Sequence, residues 1–364
     1  MNSVDTMRVA HPAGLAAVCM ALVLVHSTAL AGEVRNLYAA EVAIEDKGDE
    51  ARHAAFGKAL LEVVVKVSGS RGALGNPVIV AATEAPERYV QQFRYENVQA
   101  PAAAAEAASP ALELKVQFDA RAVDALVREA GLAVWGRVRP SVLMLVAVES
   151  SGSRELLSSD DARGWAEFVQ EVAATRAIPV VLPLMDLEDR ERLRASDVWA
   201  GFEDNVRPAA ERYQSEAVLL GRVYEITPNY WEARWRLLLD DSRSEWVDQG
   251  EGLDAVLLAG VHESADRLAS RFGGVSGATV ASNVRLNVKG VRTLRDYART
   301  LEYLGSLDQV SRVDVTEVAG DSVSFRIDAR GGSQAVRQVI ALGRTLAEEK
   351  DAPSTGGLNY RLLP

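Results

Sequence analysis

The chain has 364 residues, of which 48% are hydrophobic and 25% charged, and its formal net charge is −11. This length and composition are typical of a globular protein with two or three domains. A surface that binds nucleic-acid phosphates needs a basic excess, so the acidic balance excludes nucleic acid as an expected partner.

Residues 1–31 have the pattern of a secretory signal peptide. An apolar stretch covers residues 13–25 and is followed by Ala29-Leu30-Ala31, the small-residue pattern that signal peptidases cleave. A helix that spans a bilayer needs about 20 apolar residues, which this stretch does not reach. We therefore expect export to the periplasm with cleavage after Ala31. The alternative is that the segment is not cleaved and anchors the protein in the membrane. No later stretch is apolar for long enough to span a membrane.

The chain after Ala31 contains no cysteine and only two histidines, His53 and His262. An exported protein without cysteine folds without disulfide bonds, so its hydrophobic core must supply the stability. Thiol chemistry is excluded for the mature chain, and histidine chemistry has few candidates.

Residues 35–137 form the first predicted domain, an α+β unit with the element order β-α-α-β-β-α. Asp49 is expected to cap the first helix, and Asn76-Pro77 to begin the second. An Ala/Pro-rich loop occupies residues 99–110. The predicted strands cover residues 37–44, 89–98 and 112–118, and the helices cover residues 50–67, residues from 77 onward and residues 120–131.

Residues 140–274 form the middle predicted domain, a mixed sheet with helices. Seven apolar residues in a row, 142–148, predict a strand that is buried on both faces. Residues 231–239 alternate strictly, which places Trp231 and Trp235 on one face and Arg234 on the other. Further strands are predicted at residues 179–184, 217–226 and 245–250, and helices at residues 161–176, 187–213 (with a break near 205–208) and 253–272.

Residues 278–364 form the last predicted domain, which follows a glycine-rich linker at residues 273–277. Its element order, β-α-β-β-α-β, is that of a ferredoxin-like module. The fold class expected for the whole chain is α+β, with three small α/β modules in tandem. The predicted strands of the last domain cover residues 284–288, 310–318, 323–329 and 358–362, and the helices cover residues 293–305 and 333–349.

The motifs of the first domain resemble an uncharacterised proteobacterial envelope family, the domain of unknown function 2066. The resemblance rests on residues 37–42, 65–69 and 89–95, and on Trp135-Gly136-Arg137 with Arg139-Pro140. It implies a Gram-negative envelope protein over nearly the whole mature chain. It supplies no activity and no site residue.

The middle domain resembles the α/β modules of outer-membrane accessory proteins, among them curli-secretion lipoproteins and lipoprotein activators of peptidoglycan synthases. This likeness rests on residues 217–223 and on the tryptophan-rich strand that follows them. Such modules mostly bind other proteins, so the likeness implies a binding function by analogy of fold alone.

No group of side chains has the pattern of a catalytic or metal site, so neither a cofactor nor a metal is expected. His262 and Glu263 are neighbours on one predicted helix and do not face each other, which favours a surface histidine. The acidic cluster at residues 186–191 lacks EF-hand spacing and is expected to be a solvated helix start.

An aromatic and basic cluster in the middle domain is the candidate binding surface, because exposed aromatic side chains concentrate binding energy at interfaces. Its arginines would suit an acidic or phosphate-bearing partner. The alternative is that Trp231 and Trp235 fill the core, since they share one strand face. The candidate residues are Tyr224, Tyr230, Trp231, Trp235, Arg222 and Arg234, with Trp246 and Arg236 nearby.

The leading hypothesis from the sequence is an exported, periplasmic, non-enzymatic adaptor that binds another protein of the cell envelope. One alternative is a binding protein for a small envelope ligand, such as a glycan or lipid fragment, held between domains. Another is a glycan-acting enzyme that uses carboxylates only, which requires two acids about 5 to 9 Å apart across a cleft.

Overall fold

The structure is a computed structural model that describes residues 34, 36–98, 111–150, 152–273, 282–343, 345–349 and 357–364. These residues form a mixed α+β fold with three sheets and ten α-helices. The predicted signal peptide, the loop 99–110 and most of the predicted linker 273–277 lie outside the described residues. No described helix combines the length and apolar character needed to cross a membrane.

The first part of the chain folds into a three-stranded antiparallel sheet covered by helices on one face. The central strand of this sheet pairs with both outer strands. Two short 3-10 helices, Arg71–Gly75 and Pro86–Tyr89, connect the elements. The elements are β1 (Ala39–Ile44), α1 (Asp49–Ser68), α2 (Pro77–Ala82), β2 (Val90–Val98), β3 (Ala111–Phe118) and α3 (Ala120–Glu129).

The helix ends of this part follow local side-chain chemistry. Asn76 accepts a hydrogen bond of 3.0 Å from the Val78 amide and begins α2, as predicted. Gly48, and not the predicted Asp49, is the N-cap of α1, because Asp49 already lies within the helix. Gly69 ends α1 with φ at 70°, a left-handed conformation that glycine adopts without steric cost.

The middle part of the chain contains a six-stranded mixed sheet. Its strand order is β5-β4-β7-β8-β9, with β6 paired to β4. Strand β4 pairs in parallel with β6 and β7, and the remaining pairs are antiparallel. The strands are β4 (Val142–Ser150), β5 (Ser153–Leu156), β6 (Val180–Val181), β7 (Ala217–Thr227), β8 (Tyr230–Leu239) and β9 (Ser242–Glu251), and the helices are α4 (Trp165–Arg176), α5 (Leu187–Arg192), α6 (Ala195–Ala200), α7 (Glu203–Arg212) and α8 (Leu253–Phe272).

Both faces of this sheet carry helices, which explains the apolar run predicted as a buried strand. Met144 and Val146 of β4 belong to the core beneath α4 and α8, whereas Leu143 and Leu145 belong to the core beneath α6 and α7. All seven residues 142–148 are buried, so the prediction is confirmed. The helix predicted over residues 187–213 is instead three short helices, and the break predicted near 205–208 is wrong because these residues lie within α7.

The last part of the chain forms a five-stranded sheet in the order β11-β12-β10-β14-β13. The predicted β-α-β-β-α-β order is present, but the helix predicted over residues 333–349 ends at Leu342, and residues 346–348 form an additional short strand, β13. Strand β14 pairs in parallel with β10, and β13 lies antiparallel to β14 at the edge. The elements are β10 (Ser282–Lys289), α9 (Leu294–Ser306), β11 (Val310–Ala319), β12 (Ser322–Ala329), α10 (Gly332–Leu342), β13 (Leu346–Glu348) and β14 (Leu358–Leu362).

Candidate functional site

A groove crosses the middle sheet where its helical cover ends. Helices α6 and α7 pack on β4 and β7, and the outer face of the edge strand β9 remains accessible, with Val247 55% exposed. The resulting groove encloses about 420 Å³. We call it the arginine groove; its lining includes Val198, Trp199, Gly201, Leu220, Arg222, Arg234, Arg236, Glu245 and Val247.

The indole ring of Trp199, at the end of α6, organises the charges on one side of the groove. The guanidinium of Arg154 lies 4.0 Å from the ring centroid, and the guanidinium of Arg222 lies 4.8 Å from it. Tyr224 completes the cluster, with its ring centroid 6.1 Å from that of Trp199. Cation–π attraction to an indole stabilises such contacts by about 0.5 to 2 kcal/mol, depending on solvent exposure.

The strand register brings two arginines of the groove directly opposite each other. Arg222 on β7 faces Arg234 on β8, and Tyr224 faces Glu232 in the same ladder. Like charges directly opposite each other on neighbouring strands are destabilising. The arrangement therefore needs compensating charge or stacking at both arginines.

Four arginines lie in the groove or, in the case of Arg154, beside it on the Trp199 ring, and three of them have a carboxylate partner. The Nε atoms of Arg154, Arg234 and Arg236 lie 2.6, 2.8 and 2.6 Å from glutamate oxygens. These glutamates are Glu149, Glu232 and Glu245, in the same order. Arg222 has neither an ion pair nor a hydrogen-bond acceptor among the residues that the structure describes, and its Nε is buried.

Glu232 is the centre of a hydrogen-bond network at one end of the groove. It accepts hydrogen bonds from the Tyr224 hydroxyl, from Arg234 at 2.8 Å and from Gln249 at 2.7 Å. These three donors lower the pKa of the Glu232 carboxyl to about 2, and the same contact with Glu232 raises the pKa of the Tyr224 hydroxyl. Glu232 is therefore an anion at any ordinary pH and holds Arg234 in place.

The six residues predicted as a binding surface lie on both faces of the sheet. Arg222, Tyr224 and Arg234 lie on the groove face, and Tyr230 is 38% exposed at the start of β8. Trp231 is partly buried against the core on the opposite face. The Trp235 side chain cannot contribute to a surface, because Trp235 is only 2% exposed.

Trp235 is a core residue because two glycines leave room for its ring. A Cβ at Gly260 on α8 or at Gly221 on β7 would lie 2.4 Å from a ring carbon of Trp235. Trp246 stacks on the same indole with a centroid distance of 6.5 Å. The strict alternation along β8 therefore separated the two faces correctly, and the tryptophan face is the one that packs beneath α8.

The sequence prediction missed Trp199, Arg154 and Val247. Trp199 lay inside a stretch predicted as one long helix, and nothing in its spacing distinguishes it from a core residue. Val247 was part of the predicted hairpin strand 245–250. Because neighbouring residues of a strand point to opposite faces, its position next to Trp246 is the one signal that places Val247 on the face away from the tryptophans.

The other candidate sites are parts of ionic networks. His262 is half-buried, and not a surface histidine as predicted: its Nδ1 lies 3.2 Å from Arg176 Nη1. In the acidic cluster, Asp189 is 3% exposed and pairs with Arg212, so the expected solvated helix start is wrong for this residue. The described residues contain no cluster of three or more potential metal ligands.

A family model matches the first part of the chain. Residues 31–136 match the model of a family described as Domain of unknown function (DUF8605). This finding corrects the predicted resemblance to domain of unknown function 2066, which is a different family. The matched residues include none of the arginine groove. No curated protein matches the chain.

Among the solved structures that match is S. aureus homoserine dehydrogenase, which is similar over a limited region. The match has 15% sequence identity and a TM-score of 0.14, and it covers 30% of this chain and 29% of the dehydrogenase chain. The chain thus spans less than a third of that protein's length, and a likeness this weak carries no argument about fold or function.

Proposed function

We propose that the protein is an exported, periplasmic, non-enzymatic adaptor that binds another protein of the cell envelope through the arginine groove. The observation that carries this proposal is the uncovered part of the middle sheet, where Trp199 and the exposed Val247 border a row of arginines. Arginine and tryptophan are the residue types most often found at the energetic centres of protein interfaces. The signal-like pattern of residues 1–31 supports the location.

The proposal includes the finer architecture of three modules in tandem, of which the middle one is similar to envelope accessory modules and the last one is ferredoxin-like. Three separate sheets, each with its own hydrophobic core, support the tandem arrangement. The strand order β11-β12-β10-β14 with α9 and α10 supports the ferredoxin-like module, although β13 and the parallel pair of β10 and β14 depart from the simple order.

A protein partner fits the groove better than a small ligand does. Sites for small molecules usually bury most of the ligand surface within a concave pocket. The arginine groove opens along β9, the edge strand of the sheet, and Val247 on that strand is more than half exposed. A groove that is open along one side accepts a segment of a larger chain, which extends beyond it.

Site-specific crosslinking in the native cells tests this function. A benzophenone amino acid replaces Val247, and a control variant carries it at Val318, which is 64% exposed on β11, far from the groove residues in sequence. We expect one dominant protein adduct from position 247 that is absent from position 318. Adducts with glycan or lipid fragments alone, or no adduct from exported and folded protein, would contradict the adaptor function.

A further inference from the structure

Arg222 carries the only arginine charge of the groove that the described residues leave without a carboxylate. We infer that Arg222 binds a carboxylate side chain of the partner, so that the groove recognises an acidic polypeptide segment. This inference rests on the proposed adaptor function and names the chemistry of its partner.

The charges around the groove determine how much negative charge a bound anion can carry. Arg154, Arg234 and Arg236 each pair with one glutamate at 2.6 to 2.8 Å. Glu203, which also lies 3.9 Å from Arg236, is neutralised by Arg243 at 2.8 Å. One positive charge remains, that of Arg222, and it suits a single carboxylate. A phosphate group carries close to two negative charges and would meet the three glutamates that already surround the arginines.

Arg222 is held in place for this contact and needs no rearrangement to make it. Its guanidinium lies 4.8 Å from the Trp199 centroid and 5.8 Å from the Tyr224 centroid. The Arg222 side chain is already ordered in the folded protein before any partner binds. Binding therefore costs less conformational entropy, which favours affinity. A carboxylate would also offset the repulsion between Arg222 and Arg234, which face each other across the strand pair.

An exposed apolar side chain of the groove defines a second feature of the partner segment. Val247 is 55% exposed and faces Arg234 in the pairing of β8 with β9, whereas Val198 and Leu220 of the groove lining are already buried, at 2% and 3% exposure. A segment with an acidic and an apolar residue two positions apart presents both side chains on the same face when it is extended. A purely acidic chain would leave the exposed side chain of Val247 in contact with water.

Peptide binding to the full-length mature protein tests the inference. The probe is a fluorescein-labelled heptapeptide with glutamate, leucine and glutamate at its second, fourth and sixth positions and serine between them, and its matched control replaces each glutamate by glutamine. We expect the glutamate peptide to bind at least tenfold more tightly than the glutamine peptide. Arg222→Gln should remove that difference, and Arg222→Lys should keep part of it because the charge remains while the planar stacking is lost.

Arg243→Gln is the control variant, since Arg243 pairs with Glu203 at 2.8 Å and its side chain is 64% exposed on the same strand as Val247. It should change the affinity less than twofold, and circular dichroism should show that all variants are folded. The inference is overturned if both peptides bind equally, if Arg222→Gln binds like wild type, or if wild type binds neither peptide at millimolar concentration. It is also overturned if inorganic phosphate or phosphatidylglycerol vesicles bind in an Arg222-dependent way and the peptide does not.

The crosslinking experiment separates this inference from the function on which it rests. A protein adduct at position 247 that persists in the Arg222→Gln variant would keep the adaptor function and reject the carboxylate contact. Loss of the adduct in Arg222→Gln, with retention in Arg243→Gln, supports both. Absence of any adduct in the wild-type background rejects the function itself.

Discussion

Arg139 donates a hydrogen bond to the main-chain carbonyl of Lys66, in the last turn of α1, from a position that is completely buried. The same guanidinium donates to the carbonyls of Arg176 and Ala177, where α4 ends. Carbonyls in the last turn of a helix have no partner within the helix, and a cation there also interacts favourably with the helix dipole. One buried arginine therefore stabilises the ends of two helices that belong to different predicted domains.

Replacing Arg139 by methionine should strongly destabilise the protein. The guanidinium donates to five main-chain carbonyls, and methionine would leave those buried acceptors without donors. Each unsatisfied buried acceptor costs about 1 to 3 kcal/mol, so we expect a loss of about 3 kcal/mol or more in the free energy of unfolding. Urea denaturation monitored by tryptophan fluorescence measures it.

The control for Arg139→Met is Arg94→Met, because the side chain of Arg94 is 70% exposed and contacts Glu96 on the surface of β2. It should change the free energy of unfolding by less than about 0.5 kcal/mol. Equal effects of the two substitutions would show that the carbonyl contacts of Arg139 contribute little to stability.

Two helical glycines should respond in opposite directions to substitution by alanine. In Gly260→Ala the new methyl group would lie 2.4 Å from Trp235, so overpacking should cost about 1 to 3 kcal/mol. Gly305 lies within α9 with no atom within 4 Å of the added methyl group. Gly305→Ala should therefore stabilise the fold by about 0.5 to 1 kcal/mol. Thermal unfolding of both variants measures the pair, and a stabilised Gly260→Ala would refute the packing of Trp235 against α8.

The tyrosine contact should account for much of the low pKa of Glu232. The Tyr224 hydroxyl is its strongest hydrogen-bond donor, and with Arg234 and Gln249 it lowers the pKa to about 2. Because this pKa is lower than in the unfolded chain, the contribution of Glu232 to stability is present above about pH 4.5 and is lost as the pH falls towards 2. Tyr224→Phe should raise the pKa of Glu232, which carbon-13 NMR of the carboxyl group follows directly. Tyr230→Phe, on the same sheet, should leave the titration of Glu232 unchanged.

The sequence predicts which residues lie on each face of the middle sheet, but it does not predict the groove. Alternation along β8 placed Trp235 opposite Arg234, because successive side chains of a strand point to opposite faces. The pairing of Arg222 with Arg234 depends on the register of two strands, and the stacking of Trp199 depends on where a short helix docks. Neither is encoded in local spacing, so the groove could not be predicted even though three of its residues were named.

His262 should make the stability of the protein depend on pH between about 4 and 6.5. Burial, followed by the neighbouring charges of Arg176 on α4 and Arg71 on a 3-10 helix, lowers the pKa of the His262 imidazole to about 4, although Asp266 opposes this. The unfolded chain, with a histidine pKa of about 6.5, takes up a proton that the folded protein does not. This contribution is therefore complete above about pH 6.5 and is lost as the pH falls towards 4.

His262→Gln retains a hydrogen-bond acceptor for Arg176 and cannot be protonated, so it should reduce the loss of stability between pH 7 and pH 4.5. His53→Gln is the matched control, since His53 is 47% exposed and lies beside Glu87 on the surface. Urea denaturation at a series of pH values compares the three proteins. If His262→Gln follows the wild-type pH profile, then the two arginine neighbours do not keep the imidazole neutral. The pH dependence then arises from the carboxylates near His262, above all Asp266. Arg176 and Arg71 hold the pKa of Asp266 below its usual range, against the effect of burial.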